Sequence, residues 1–176
     1  MFNTIQTGDP AKRPPTRYDD AEYAKILDGI VIACADIVIL DQAGRILMAP
    51  RSYEPAKGVF WIAGGRMRFG ESFQQAANRN LAREMGIEVD PDRIRPFGTY
   101  NYIWGERAQE PAENGSQTVS ITSMLVLTPG EIEGLAPNEE YAGALVWRDL
   151  KEVATSTTDH PGMIQTAKDL LNLFHA

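Results

Sequence analysis

The stretch from Gly64 to Gly86, GGRMRFGESFQQAANRNLAREMG, is the feature that most constrains the fold of this chain. It begins with two glycines and an arginine and continues into a run whose apolar residues repeat at helical spacing. Backbone N–H groups, a guanidinium and a helix N-terminus together favour phosphate oxygens. We therefore predict a glycine loop that binds phosphate, followed by a helix from Gly70 or Ser72 to Met85 that Gly86 stops.

Positions 80, 83 and 84 share one face of this predicted helix, because residues three and four apart are neighbours. Three acids there could hold two or three Mg²⁺ ions, but the residues are Asn80, Arg83 and Glu84. One Mg²⁺ can still bind, since this ion often uses one or two carboxylates together with phosphates and water. The competing interpretation of the same residues is an ordinary solvated helix face.

Strands predominate in the rest of the chain. They are predicted within residues 30–40, 45–51, 59–68, 93–104, 116–128 and 143–150. Short helices are expected after Asp19 or Asp20 and over 162–175, and the polar residues 105–115 are typical of a loop. We predict an α/β sandwich with a mixed sheet in residues 21–176, preceded by a flexible N-terminal arm over residues 1–20.

The formal net charge of −7 argues against nucleic-acid binding and against docking on an anionic membrane. An anionic small substrate would then need local arginines or a metal ion. The longest apolar stretch, 26–40, is interrupted by Asp28 and Asp36, so it cannot span a bilayer. No signal pattern begins the chain, and we expect a cytoplasmic protein. Cys34 is the only cysteine, and its apolar neighbours predict a buried, inert thiol.

Residues 65–87 resemble the Nudix box, whose frame is G-x5-E-x7-R-E-U-x-E-E-x-G-U with U aliphatic. Seven of the nine fixed positions match, namely Gly65, Glu71, Arg79, Leu81, Glu84, Gly86 and Ile87. The mismatches are Asn80 and Arg83, where the frame has glutamates. The resemblance implies the α/β/α sandwich of Nudix hydrolases.

A box that lacks these acids but keeps the last one resembles that of the GDP-mannose mannosyl hydrolases. Those enzymes use one Mg²⁺ and break the sugar C–O bond instead of the P–O–P bridge. The segment from Arg51 to Arg66 is also similar to theirs, although Ala63 replaces a proline. The resemblance covers roughly 22–175 and implies a nucleotide-sugar substrate and a homodimer.

The resemblance also implies roles for individual residues. Mg²⁺ would be held by the Gly64 carbonyl, Glu84 and Glu140. The substrate would be bound by Asp36, Arg51 and Arg66, with the two arginines on the diphosphate. Because a buried acid needs a partner, we expect Asp36 to pair with one of those arginines. Apart from the resemblance, we expect Trp61, Trp104 and Trp147 mostly in the core, although Trp104 or Tyr102 could stack a guanine.

The general base is absent from its usual place. In the related hydrolases a catalytic histidine follows the residue that matches Glu140, whereas this chain has Tyr141. A tyrosine with an ordinary pKa near ~10 is a poor base at neutral pH. Glu139 is our preferred substitute, because Glu140 is needed for the metal. His160 is the less favoured candidate, since it resembles a structural histidine before the last helix of the family.

Three functions remain open at this point. The first is Mg²⁺-dependent hydrolysis of a GDP-mannose-like sugar nucleotide at the anomeric carbon, with Arg66, Glu139 and Tyr141 in the catalytic site. The second is Nudix pyrophosphohydrolysis of a P–O–P bond. The third is a non-catalytic protein that binds a nucleotide sugar, which the replacement of histidine by Tyr141 suggests.

Overall fold

The computed structural model describes residues 5, 7–9 and 17–175. The predicted arm therefore lies largely outside the described residues. The helices are α1 (Asp20–Gly29), α2 (Phe73–Met85), α3 (Pro129–Glu133), α4 (Leu150–Ala154) and α5 (Pro161–His175). The strands are β1 (Ile32–Leu40), β2 (Ile46–Pro50), β3 (Phe60–Trp61), β4 (Ala63–Arg66), β5 (Arg95–Trp104), β6 (Ser116–Val126) and β7 (Val146–Arg148). Asp19 caps α1 with its side chain, as predicted.

The strands form one mixed sheet in the order β3-β2-β1-β6-β5. Strands β1 and β6 run parallel, and the other pairs are antiparallel. One edge of β1 is shared, because β4 pairs with residues 34–37 and β2 pairs at Leu40. The glycine strand thus lies directly beside β1.

Each face of the sheet is covered by helices. Ala35, Ile37 and Ile39 of β1 pack under the α2 side chains, and the alternate residues Val38 and Leu40 pack under α4 and α5. The predicted α/β/α sandwich with a mixed sheet is confirmed.

Helix α2 begins and ends where its sequence predicts. The Ser72 side chain accepts a hydrogen bond from the N–H of Gln75, and Gln75 reaches back to Ser72, so the two form a capping box. At the other end Gly86 adopts φ 73°, a left-handed conformation that glycine takes without strain.

The loop between β5 and β6 is less solvated than its polar sequence predicts. Arg107 is only 2% exposed, and its Nη1 lies 2.7 Å from Asp28 Oδ1 on α1. Its Nε and Nη1 also donate to the carbonyls of Gln109 and Gly115. The loop is therefore fastened to α1.

Candidate active site

The two glycines of β4 lie between Asp36 on one face of the sheet and the side chains of α2 on the other face. A Cβ on Gly64 would overlap the Asp36 side chain, whereas a Cβ on Gly65 would lie 3.3 Å from Arg83 Nη2. Gly64 therefore makes room on the face of Asp36, and Gly65 makes room for the side chains of α2. Asp36 of β1 and Glu84 of α2 thus belong to opposite faces of the sheet, and the charge of Glu84 still raises the pKa of Asp36.

Asp36 is buried and takes its hydrogen bond from a serine. Ser120 Oγ on β6 donates to Asp36 Oδ2 over 2.6 Å. Burial raises the pKa of Asp36 to about 6, and the negative charge of Glu84 adds to this shift, while Ser120 and the charge of Arg51 oppose it. The prediction that Asp36 pairs directly with Arg51 or Arg66 is wrong, because its side-chain hydrogen bond comes from Ser120, which lies two residues before Thr122, the register partner of Asp36 on β6.

Glu84 is the most enclosed acid of the site, with no exposed surface. Its Oε2 accepts from the Gly64 N–H at 3.1 Å and from the Tyr141 hydroxyl at 2.6 Å. Its Oε1 lies 2.5 Å from Arg83 Nη2. Burial raises the pKa of Glu84, and the Tyr141 hydroxyl and the charge of Arg83 oppose that rise. Every oxygen of this carboxylate is thus satisfied.

Arg83 connects the three predicted metal ligands. Its Nη2 contacts Glu84 and lies 3.5 Å from the Gly64 carbonyl oxygen, and its Nη1 pairs with Glu140. The structure therefore does bring Gly64, Glu84 and Glu140 together, but around a guanidinium.

Asn80 has a structural position. It is 1% exposed, and its Nδ2 donates to the Gly65 carbonyl at 3.0 Å and to the Ala35 carbonyl at 3.4 Å. Its Oδ1 accepts from Arg79, whose guanidinium also pairs with Glu71. The solvated-face interpretation is wrong for Asn80 and Glu84, because both amide and carboxylate face the sheet.

The loop after α3 fastens Glu140 and Tyr141 to the end of α2. The N–H of Ala136 bonds to the Met85 carbonyl, and the N–H of Asn138 bonds to the Glu84 carbonyl at 3.0 Å. The Asn138 side chain donates to the Arg83 carbonyl and accepts from the Glu140 N–H. The last carbonyls of the helix are thus capped. Sequence reasoning missed Asn138 and Ser120; the signal for Asn138 was an Asn two residues before a predicted ligand.

The same loop places Arg51 near the acids. The backbones of Arg51 and Tyr141 pair as an isolated β-bridge. The positive charge of Arg51 lowers the pKa of both Asp36 and Glu84. Arg51 Nε is buried and has no hydrogen-bond partner among the described residues. A half-buried cation with a free donor suits an anionic ligand.

Arg66 lies at a different place. Its guanidinium carbon is 4.4 Å from the centroid of the Tyr23 ring on α1, which is a cation–π contact. The residue is exposed at the end of β4. Its predicted contact with the diphosphate stays a prediction.

Of the candidate bases, only Glu139 is exposed. The Tyr141 hydroxyl donates to Glu84, and burial together with the charge of Glu84 raises the pKa of Tyr141, so the geometry supports a positioning role and not proton transfer. His160 packs on Trp61 and Trp104, its Nδ1 accepts from Gly162, and burial lowers its pKa. His160 therefore supports the start of α5.

The donor set of Gly64, Glu84 and Glu140 fits one divalent ion. Two carboxylates and a carbonyl are oxygen ligands of the kind that Mg²⁺ takes. Among the described residues no group of three or more His, Cys, Asp or Glu could hold a metal, so the site does not fit a multi-metal cluster. The single ion fits once the Arg83 side chain has turned away from these oxygens.

A comparison with protein families decides the classification. The model of the NUDIX domain matches residues 32–170. The chain belongs to the Nudix family. Nudix hydrolase activity is thereby supported, and Nudix hydrolases generally need a divalent metal ion. The prediction made from the box is confirmed.

Relatives of this Nudix protein have different names. It is 32% identical over 94 residues to the low-salt glycan biosynthesis protein Agl8 of Haloferax volcanii, covering 53% of this chain and 58% of that protein. It is 25% identical over 136 residues to isopentenyl-diphosphate Delta-isomerase of Serratia proteamaculans, covering 76% and 70%. The match therefore spans less than two thirds of the length of Agl8. The names of these two relatives do not indicate which reaction this chain catalyses.

A solved structure confirms the fold. The NUDIX domain of Shewanella oneidensis NrtR, complexed with ADP ribose, superposes with a TM-score of 0.60 at 16% identity, covering 89% of this chain and 99% of that one. Separately, none of the helices within residues 17–175 has the length and apolarity needed to cross a membrane.

Proposed function

We propose that this Nudix protein hydrolyses a nucleoside diphosphate sugar of the GDP-mannose type, with water attacking the anomeric carbon and releasing the sugar and GDP. The observation that carries the proposal is the reduced acid set of the site. Our proposal gives the metal only two carboxylates, Glu84 and Glu140, because no group of three or more His, Cys, Asp or Glu in the described chain could hold a metal ion and Asn80 is bonded to backbone carbonyls. Cleavage of a C–O bond needs stabilisation of one leaving diphosphate and no multi-metal cluster.

Several observations favour a ligand that contains a diphosphate. Arg51 offers a buried, unpartnered Nε beside Glu84 and Asp36. One similar protein is named for isopentenyl diphosphate, and a structurally similar NUDIX domain was solved in complex with ADP ribose, which is also a diphosphate compound. A third relative is named for glycan biosynthesis, which agrees with a sugar nucleotide. Arg51, together with Arg66, would bind the diphosphate and neutralise charge as the leaving group departs.

A divalent ion, Mg²⁺ in our proposal, would be held by Gly64, Glu84 and Glu140 and would supply further charge stabilisation at the diphosphate. Tyr141 would keep the Glu84 carboxylate oriented through its hydroxyl. Glu139, exposed in the same loop, would take the proton of the attacking water as general base, a contribution of roughly 10²–10⁴-fold. Inversion at the anomeric carbon is expected from attack on the face opposite the leaving group.

Product identification tests the reaction. GDP-mannose incubated with Mg²⁺ in H₂¹⁸O should yield GDP and labelled mannose, because water oxygen joins carbon. Release of GMP and mannose 1-phosphate with the label on phosphorus would instead establish pyrophosphohydrolysis, the second function. Glu139→Gln should lower kcat by at least about tenfold with little change in KM, if Glu139 is the base.

A non-catalytic binding protein is the alternative that one observation favours. Tyr141 stands at the position of the expected base, and its hydroxyl is committed to Glu84. This alternative predicts calorimetric binding of a nucleotide sugar without turnover across a broad panel of such sugars. Turnover that Glu84→Gln abolishes would exclude it. A homodimer, which the subfamily resemblance implies, is part of the first proposal and is checked by light scattering.

A further inference from the structure

We propose that Arg83 is a resident cation of this site, which competes with a divalent metal ion for the oxygens of Gly64, Glu84 and Glu140. The inference goes beyond the proposed reaction and does not depend on which substrate is cleaved. Arg83 stands where the Nudix frame has a glutamate. The chain therefore carries a positive charge at a position where the frame carries a negative charge.

The contacts of Arg83 show the competition directly. One guanidinium reaches three oxygens from three separate segments, namely β4, α2 and the loop after α3. Mg²⁺ binds its ligands at about 2.0–2.1 Å. Arg83 Nη2 lies 2.5 Å from Glu84 Oε1 and 3.5 Å from the Gly64 oxygen, so it occupies the space beside oxygens that would hold the ion. The two cations also repel each other.

The backbone around Arg83 is shaped to accept the guanidinium. Gly65 has no Cβ, and a Cβ there would meet Arg83 Nη2 at 3.3 Å. Asn138 bonds to the carbonyl of Arg83 and fixes the Glu140 N–H. The side chain of Arg83 is 41% exposed, so it can leave towards solvent without disturbing the core.

Charge balance explains why a cation must be present. Glu84 is fully buried, and a buried carboxylate is costly unless it is paired. Arg83 supplies that partner when no metal is bound. When a metal is bound, the metal supplies the charge and Arg83 is released. Arg83 thus lowers the apparent metal affinity and keeps the metal-free protein stable.

The test measures metal binding without substrate. Mn²⁺ is titrated into the full chain and followed by electron paramagnetic resonance, with the wild type compared to Arg83→Gln. Loss of charge-assisted hydrogen bonds should tighten Mn²⁺ binding at least about tenfold in the variant. The matched control is Arg93→Gln, because Arg93 is 37% exposed, pairs with Glu131 and carries the same charge away from the site. We expect less than about a twofold change there.

Thermal unfolding gives a second readout. Without metal, Arg83→Gln should unfold at a lower temperature than the wild type, and added Mn²⁺ should raise its Tm by more than it raises that of the wild type. If this variant does not fold at all, Arg83→Lys carries the test. Lysine keeps the charge but its compact ammonium cannot bridge all three oxygens, so Mn²⁺ affinity should fall between wild type and the expected glutamine value.

Equal Mn²⁺ affinity in wild type and Arg83 variants would overturn the proposal, as would the absence of Mn²⁺ binding in all of them. Because no substrate is used, either result leaves the proposed hydrolysis to be judged separately by its products.

Discussion

At the residue scale, Glu84 depends on donors that come from three segments of the chain. The Gly64 N–H, the Tyr141 hydroxyl and the Arg83 guanidinium each bond to this buried carboxylate. Tyr141 therefore has a physical reason to be a tyrosine: its hydroxyl spans from the loop to an acid that water cannot reach. Replacement of the expected histidine changes the residue from a proton acceptor to a proton donor.

Tyr141→Phe removes one donor from Glu84 while it keeps the ring. Hydrogen bonds to charged groups contribute about 1.5–3 kcal/mol, so we expect the free energy of unfolding to fall by about 2 kcal/mol. Urea denaturation at pH 7 measures this change. Tyr53→Phe, at an exposed tyrosine, is the control and should change stability by less than about 0.5 kcal/mol. Equal effects of both substitutions would contradict the role given to Tyr141.

The raised pKa of Asp36 predicts that the free energy of unfolding falls as pH rises. A salt-bridged acid, whose pKa is lowered, has the opposite effect. The pKa of Asp36 is raised from 3.8 to about 6 in the folded protein. The native state thus binds the proton more tightly than the unfolded state, and the Asp36 contribution to stability is lost as pH rises from about 4 to about 6. A shift of about two units corresponds to about 3 kcal/mol.

Asp36→Asn isolates this contribution, because the amide cannot ionise. Urea denaturation of both proteins between pH 4 and 7 measures their free energies of unfolding. The value for the variant relative to the wild type should increase as pH rises, by up to about 3 kcal/mol and mostly below pH 6. Groups elsewhere titrate in both proteins and cancel in the difference. Parallel stability curves would show that Asp36 ionises normally.

At the element scale, the C-terminus of α2 organises the second half of the site. Three carbonyls of its last turn, those of Arg83, Glu84 and Met85, bond to the loop that carries Glu140. Gly86 lets the chain turn there, and a Cβ at this residue would meet the Ala136 Cβ at 3.0 Å.

Gly86→Ala should therefore lower the free energy of unfolding by more than the strain of a left-handed alanine alone would. Gly44 is the matched control, since its φ of 77° is close to the 73° of Gly86 and a Cβ at Gly44 would meet no atom within 4 Å. Both substitutions should cost about 1–2 kcal/mol for the conformation, and Gly86→Ala should cost about 1 kcal/mol more for crowding. Urea denaturation compares them, and a larger loss at Gly44 would contradict the tight contact with Ala136.

Helices and strands whose ends are set by neighbouring residues could be predicted from the sequence. Contacts between residues far apart in the chain could not. The ends of α2 follow from Ser72, Gln75 and Gly86, which act within one helical turn. The contact between Arg83 and Glu140 depends on a loop far along the chain, and the partner of Asp36 depends on the register of β1 against β6. The resemblance to the family proposes Gly64, Glu84 and Glu140 as metal ligands, and the sequence places a positive charge at Arg83, but it does not predict that this guanidinium contacts all three residues.

At the scale of the whole molecule, the two helical layers have separate tasks. The α2 layer holds Glu84 and its partners, whereas the α5 layer packs on the aromatic side chains of Trp61, Tyr102 and Trp104. Tyr102 and Trp104 stack on each other with ring centroids 5.2 Å apart, and Trp61 meets both edge-on. Stacking of a guanine on these rings stays a prediction.

A pair of leucine substitutions tests this separation. Leu81 of α2 and Leu170 of α5 are both fully buried, and replacement of either by alanine should cost about 2–5 kcal/mol. Only Leu81→Ala should also alter Mn²⁺ binding, because it loosens the helix that carries Glu84. Mn²⁺ titration of both folded variants measures this difference, and equal effects on the metal would contradict it.

The parallel pairing of β1 and β6 has a consequence for synthesis of the chain. Every pair in this ladder, from Ile32 with Thr118 to Leu40 with Val126, joins residues 86 positions apart. As the chain leaves the ribosome, β1, β4 and α2 emerge while Ser120, Glu140 and Tyr141 are still to be made. Glu84 and Asp36 therefore stay without those partners until late in translation, and the glycine strand and its helix must remain soluble with an unfinished site.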